Sequence, residues 1–207
     1  MFTMQRNYPK AEEILQSAGE TAKTHEMLAK EQLRTEVFRR GVQLEKVGRI
    51  ARFGGEAEKA RGYFEAARPD FEEWLAKNPT SIAHDPWLES HSSAYIAEID
   101  AALAHKEDAI REARNVAERW PLQWDARIAP NVHIIVAIAY MWSGQRDAAL
   151  QELMEVAKVP VRPGGDVPFF QGLSAGELKL NPLWDELRND SRFDKIVAEA
   201  AKPIKID

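Results

Sequence analysis

Hydrophobic positions recur at intervals of three and four along most of the chain, so the elements they predict are helices. The pattern is clearest between Pro130 and Pro160. Val132, Ile135, Val136, Ala139 and Tyr140 share one face of a first helix that Pro130 opens, and Ala149, Leu150, Leu153, Val156 and Ala157 share a face of a second. Gln145, Arg146, Glu152, Glu155 and Lys158 are then set toward solvent. Gly144 stands between the two helices and supplies the left-handed position at which the chain reverses. The stretch is therefore an antiparallel helical hairpin.

The same reading extends in both directions. Near the start, Tyr8, Ala11, Leu15 and Ala18 form a short apolar stripe behind Pro9, the second half of a hairpin whose first half is missing. Two expectations follow: the chain is a fragment of a longer array or a product that begins mid-repeat, its stripe covered by the following helix or by self-association with another molecule, or this is a free amphipathic cap helix. Residues 18–53 contain no proline, and Leu28, Leu33, Val37, Leu44, Val47 and Ile50 support one long helix or two abutting ones, with Gly41 as the weak point. Gly54 and Gly55 end it. In the next helix Ala60, Phe64, Ala67, Phe71 and Leu75 share a face, and Pro69 inside it predicts a kink near Ala66.

Asp85 and Pro86 open a further helix to about Leu103, and a turn at Ala104 and His105 leads to its partner, where Glu107 and Arg111 are spaced as an i,i+4 pair. The loop from Trp120 to Ala129, with its two tryptophans, is expected to pack. VRPGGDVPFFQG after Pro160 precludes a regular element. Beyond it, Ser174 to Leu178 reads as a short helix, Asn181 as the cap of one starting at Pro182, and Asp190 as the cap of Ser191 to Ala201. Leu178, Leu180, Trp184, Leu187, Phe193 and Ile196 supply the apolar side of this closing segment.

The hairpins resemble the tetratricopeptide repeat, W-x2-L-G-x2-Y followed by A-x3-F and proline. His133, Val136, Ala137, Tyr140, Ala149 and Leu153 occupy its places in one copy. Leu44, Val47, Gly48, Ala51, Ala60 and Phe64 occupy them in an earlier copy, with Gly55 at the turn. Ser93, Ile96, Ala97, Asp100, Ala109, Ala113 and Pro121 form the copy between, with Ala104 where the turn glycine usually stands. Ala11, Ala60, Ala109 and Ala149 are spaced by 49, 49 and 40 residues, longer than the ~34 of the standard repeat. LKLNPLWDELRNDSRFDKIV is similar to the closing segment of bacterial tetratricopeptide-repeat proteins, some of them fused to kinase, cyclase or winged-helix domains.

The resemblance implies an all-α, right-handed solenoid of helical hairpins with a helical C-terminal cap. Residues 1–160 would hold a partial repeat (1–23) and repeats at about 42–79, 86–121 and 130–160, and residues 161–207 a loop and the cap. Such a cap is needed because the last repeat otherwise exposes the face on which another would stack.

Composition narrows the chemistry. The 207 residues are 44% apolar, enough for a core, and include no cysteine, which removes disulfides and thiolate metal sites. A net charge of −5 argues against nucleic acid as the main ligand. The longest uncharged apolar run, Ile134 to Trp142, is far short of a bilayer span, and MFTMQRNYPK is no signal segment. A cytoplasmic protein without membrane contact is expected. His25, His84, His91, His105 and His133 form no H-x3-H or H-E-x-x-H pattern. In HDPWLESH, capping accounts for Asp85, and helix geometry separates Glu89 from His91. No catalytic residues, metal or cofactor are expected. Asp100, where the repeat carries tyrosine, is read as a partly exposed or arginine-paired structural carboxylate or as a polar group at the edge of a binding groove.

The function implied is non-catalytic: a protein-interaction module that binds a peptide or partner domain in a concave groove. The alternative is a regulatory or sensory domain of a larger signalling enzyme or transcription factor. In the family the groove is lined by the second, fifth, ninth and twelfth places of each first helix. Here these are Val42, Glu45, Arg49 and Arg52, then His91, Ala94, Glu98 and Ala101, then Asn131, Ile134, Ile138 and Met141. That grading suits a ligand with an acidic end and an apolar anchor. The lysine and asparagine pattern of the chaperone-binding carboxylate clamp is absent. The competing reading pairs Arg49 and Arg52 with Glu45, Glu98 or Asp100 and covers the apolar trio with Phe169 and Phe170.

Overall fold

The structure is a computed structural model that describes residues 22–77, 86–159 and 173–202, with side chains from residue 36 onward. Every regular element among the described residues is helical. The chain divides into two compact units, residues 1–37 and residues 38–207. Of the first, only the helical backbone from Ala22 is described.

Helix α1 runs Ala22–Phe53, α2 Ala57–Lys77, α3 Pro86–Ala102, α4 Lys106–Arg119, α5 Ala129–Trp142 and α6 Arg146–Ala157. A short α7, Ala175–Leu180, a single 3-10 turn, Pro182–Trp184, and α8, Ser191–Ala200, follow. The 18–53 stretch is thus one helix from Ala22 onward, unbroken at Gly41. A close approach explains that glycine: a Cβ there would stand 3.0 Å from Cζ of Phe71. Gly48 meets Phe64 in the same way, Cε1 at 3.0 Å. Pro69 lies inside α2 without dividing it, on the exposed side.

Three of the turns are built alike. Gly55, Ala104 and Gly144 have φ of 76°, 66° and 82°. In each, the next residue's N–H reaches back five residues: Glu56 to Ala51 O, His105 to Asp100 O and Gln145 to Tyr140 O, at 2.9, 2.8 and 2.8 Å. The positive-φ residue's own N–H returns to Arg52, Ala101 and Met141 respectively. This is the Schellman closure, which satisfies carbonyls that a helix end leaves free. Five residues past each positive-φ position stand Ala60, Ala109 and Ala149, all buried. The small side chain lets the second helix settle against the first.

The core is continuous from Phe38 to Ile196. α3 packs on α2, α4 and α5; α5 also packs on α4 and α6; α8 packs on α6 and α7. Leu178, Trp184, Leu187, Phe193 and Ile196 are buried in this closing layer, but Leu180 is 81% exposed and takes no part. Ser174, Asn181 and Asp190 cap as their sequence suggests, accepting from the N–H groups of Glu177, Leu183 and Arg192. Arg111 pairs with Asp108 at 2.6 Å and Glu112 at 3.4 Å rather than with Glu107. Of the two loop tryptophans, Trp120 is buried and Trp124 is 40% exposed. The expected cap at Asp85, the stripe from Tyr8 to Ala18 and the cover by Phe169 and Phe170 lie outside the described residues.

Candidate binding face

The first helices of the three hairpins, α1, α3 and α5, bring several of the sequence-selected residues together. Arg49 on α1 is the centre. Its Nε and Nη2 donate to Oε1 and Oε2 of Glu98 on α3 at 2.7 and 2.5 Å, a fork-to-fork pair. The same guanidinium is ion-paired with Glu45 one turn back on α1. Glu45 and Glu98 are 1% and 0% exposed, whereas the Arg49 side chain keeps 22% of its surface. Burial opposes the charge of Arg49, but the two carboxyl groups outweigh it and raise the pKa. Burial also pushes the Glu98 carboxyl well above the usual carboxylate range, against the pull of Arg49 and with the help of Glu45.

One turn from Glu98 along α3, Tyr95 lies over Phe71 with centroids 5.0 Å apart, and burial raises its phenol pKa. His91 follows on the same face. Its Nδ1 donates to Trp87 O at 2.7 Å, which leaves Nε2 to accept from the Asn131 amide of α5 at 3.4 Å. Arg52 lies over the Trp142 ring, 4.6 Å from the centroid.

The twelve groove positions therefore separate into two layers. Arg49, Arg52, Asn131 and Ile134 are partly exposed, while Glu45, His91, Glu98, Ile138 and Met141 are buried beneath them, as are Val42, Ala94 and Ala101. Ile138, with no exposed surface, belongs to the core between helices.

Two further buried acids are paired. Asp70 on α2 accepts from Arg40 Nε at 2.8 Å. Asp100 accepts from Arg68 Nε at 2.9 Å and lies 3.2 Å from His105 Nδ1. Asp100 is thus arginine-paired and, at 1% exposed, buried rather than partly exposed. Glu89 meets Arg119 at 2.6 Å, on a different side of α3 from His91.

Sequence reasoning missed the aromatic cluster of Phe38, Phe71, Trp87 and Tyr95, although the spacing of 87, 91, 95 and 98 on one helical face carries it. It also missed His133 and Glu152. Nε2 of His133 donates to Trp120 O at 2.9 Å, and Nδ1 is 2.6 Å from Oε2 of Glu152. Glu152 is accordingly drawn out of the exposed set in which its sequence position put it.

Among the described residues no group of three or more histidines and carboxylates is arranged to hold a metal, and no helix is long and apolar enough to cross a membrane. No family model, no curated protein and no solved structure matches the chain.

Proposed function

We propose that the chain is a non-catalytic, tetratricopeptide-like interaction module that binds a peptide or partner domain over α1, α3 and α5. The observation that carries this reading is the threefold use of one hairpin: the same closure at Gly55, Ala104 and Gly144, followed each time by a buried alanine. Stacked hairpins of this kind present their first helices as one surface. Partly exposed Arg49, Arg52, Asn131 and Ile134 form its contact layer. The buried residues below fix their positions, which lowers the ordering cost of binding. Arg52 favours an acidic group on the ligand, and Ile134 an apolar one.

The test is affinity capture with mass spectrometry on wild-type protein, Arg52→Glu and Ile134→Asp, each checked for its melting temperature. These two positions are chosen because Arg49 is tied to the core and Ile138 is wholly buried, so changes there disturb the fold. The expected result is a protein retained by the wild type and lost from both folded variants. An identical set captured by all three would overturn the assignment of the face.

A further inference from the structure

Glu45, Arg49 and Glu98 form a charge-imbalanced cluster: two carboxyl groups, 1% and 0% exposed, contact a single guanidinium where α1 meets α3. Three formal charges in that enclosure leave one negative charge without a counterion. An uncompensated carboxylate out of water is costly, and the group escapes the cost by taking up a proton. Among the described residues, Arg49 is the cation in contact with both carboxyl groups, and the other basic groups nearby are engaged elsewhere. On α3 the face continues with Tyr95 and His91, whose ring nitrogens are engaged by Trp87 O and the Asn131 amide rather than by Glu98. α5 has His133 as its sole basic residue, and that ring is occupied by Trp120 and Glu152. On α2, Arg68 is held by Asp100 and Glu72, and Arg61 by Glu65. Arg40 on α1 is held by Asp70, and Arg52 lies over Trp142.

We propose that this junction is a proton-dependent latch, in which Glu45 and Glu98 together retain one proton against Arg49 and its loss in alkaline solution loosens α1 from α3. With the proton in place the cluster is neutral. Without it, like charges face each other across the two helices that carry them, and separation of the helices with entry of water relieves the repulsion. The direction of the Glu98 shift, upward through burial, agrees. The folded state then holds a proton that the unfolded chain gives up near the ordinary glutamate value. The contribution is therefore fully present below that value and is lost as pH rises through the higher native one. Because the two carboxyls are in contact with one cation, the proton belongs to the pair and comes off in a step shared between them.

The experiment is a carbon-13 carboxyl titration of the glutamates between about pH 5 and pH 9, with amide hydrogen exchange of residues 38–53 corrected for intrinsic rates. In the wild type, Glu45 and Glu98 are expected to share a titration step well above the other glutamates, and protection of 38–53 to fall in step with it. Glu98→Gln, which keeps the shape and removes the proton, should abolish both the displaced titration and the pH dependence of protection. Glu45→Gln should do the same. A purely structural role would instead lower protection equally at every pH. Ordinary titration of every glutamate in the wild type, or a pH slope that persists in both variants, would overturn the latch. The wild-type titration decides the matter even where a variant does not fold.

Discussion

Ala104 stands at φ 66°, the position that Gly55 and Gly144 fill in the other two hairpins. A Cβ in the left-handed region meets the following carbonyl, at a cost of about 1–2 kcal/mol, partly offset by the lower entropy that alanine loses on folding. Ala104→Gly should therefore stabilise the protein by about 0.5–1 kcal/mol, and Gly144→Ala should destabilise it by a similar amount or more. Chemical denaturation of the two variants reads both signs. His133 offers a contrasting case. Its Nε2 donates to Trp120 O and its Nδ1 contacts the Glu152 carboxyl, so one ring ties the loop before α5 to α6. Removing the ring leaves a buried carbonyl and a half-buried carboxyl without partners, so His133→Ala should cost about 2–4 kcal/mol. A loss below about 0.5 kcal/mol would mean that these contacts are not formed in solution.

Between elements, closeness decides more than propensity. Gly48 is a poor helix former, and alanine there would gain up to about 1 kcal/mol in an isolated helix. In the folded chain the added methyl meets the Phe64 ring at 3.0 Å, and that ring is 1% exposed and set edge-on to Trp142. The ring has nowhere to move. Gly48→Ala should accordingly lower stability by about 1–3 kcal/mol, and a rise in melting temperature would show that α1 and α2 are less closely packed. The joint between α6 and α8 is of another kind. Arg192 contacts Asp147 at 2.7 Å and Asp190 at 2.7 Å, and Arg146 Nη2 donates to Glu186 O at 2.6 Å. Side-chain and backbone hydrogen bonds from Arg192 hold the Asp190 carboxyl below its usual range. Its contribution is present above the unfolded aspartate value and is lost as pH falls through the lower native one, so Asp190→Asn should flatten the acid limb of a melting-temperature profile. Arg192 and Asp147 are exposed, with Asp190 partly buried between them and Arg146, and salt should weaken the effect.

For the whole molecule, the closing layer matters most. Leu178, Trp184, Leu187, Phe193 and Ile196 are buried in it, and α8 lies on α6, whose Leu150, Leu153 and Val156 are buried as well. Deleting Ser174 to Asp207 should expose that face, lower the melting temperature strongly and cause aggregation. A truncated protein that remains monomeric and melts as before would show that the layer is dispensable. Leu180, although apolar, should be replaceable by lysine without penalty, because its side chain already faces water.

The sequence by itself determined the helices and their turns. Period-3.6 patterning, the glycines at 55 and 144 and the caps at Ser174, Asn181 and Asp190 are local properties, set by backbone geometry and by hydrogen bonds a few residues long. It also singled out Arg49, Glu98, His91 and Asn131, because template spacing places them on successive first helices. What it left open was depth. Whether Ile138 is a ligand anchor or core, whether Glu152 is wet or bonded to His133, and whether Arg49 meets a ligand or Glu98 depends on which helix lies opposite. Those partners are 19 to 49 positions away along the chain, and no periodicity within a single helix specifies them. Glu45 reaches Arg49 within α1, one turn away, but only the packing of one hairpin on the next brought Glu98 onto the same guanidinium, and with it the proton on which the junction of α1 and α3 depends.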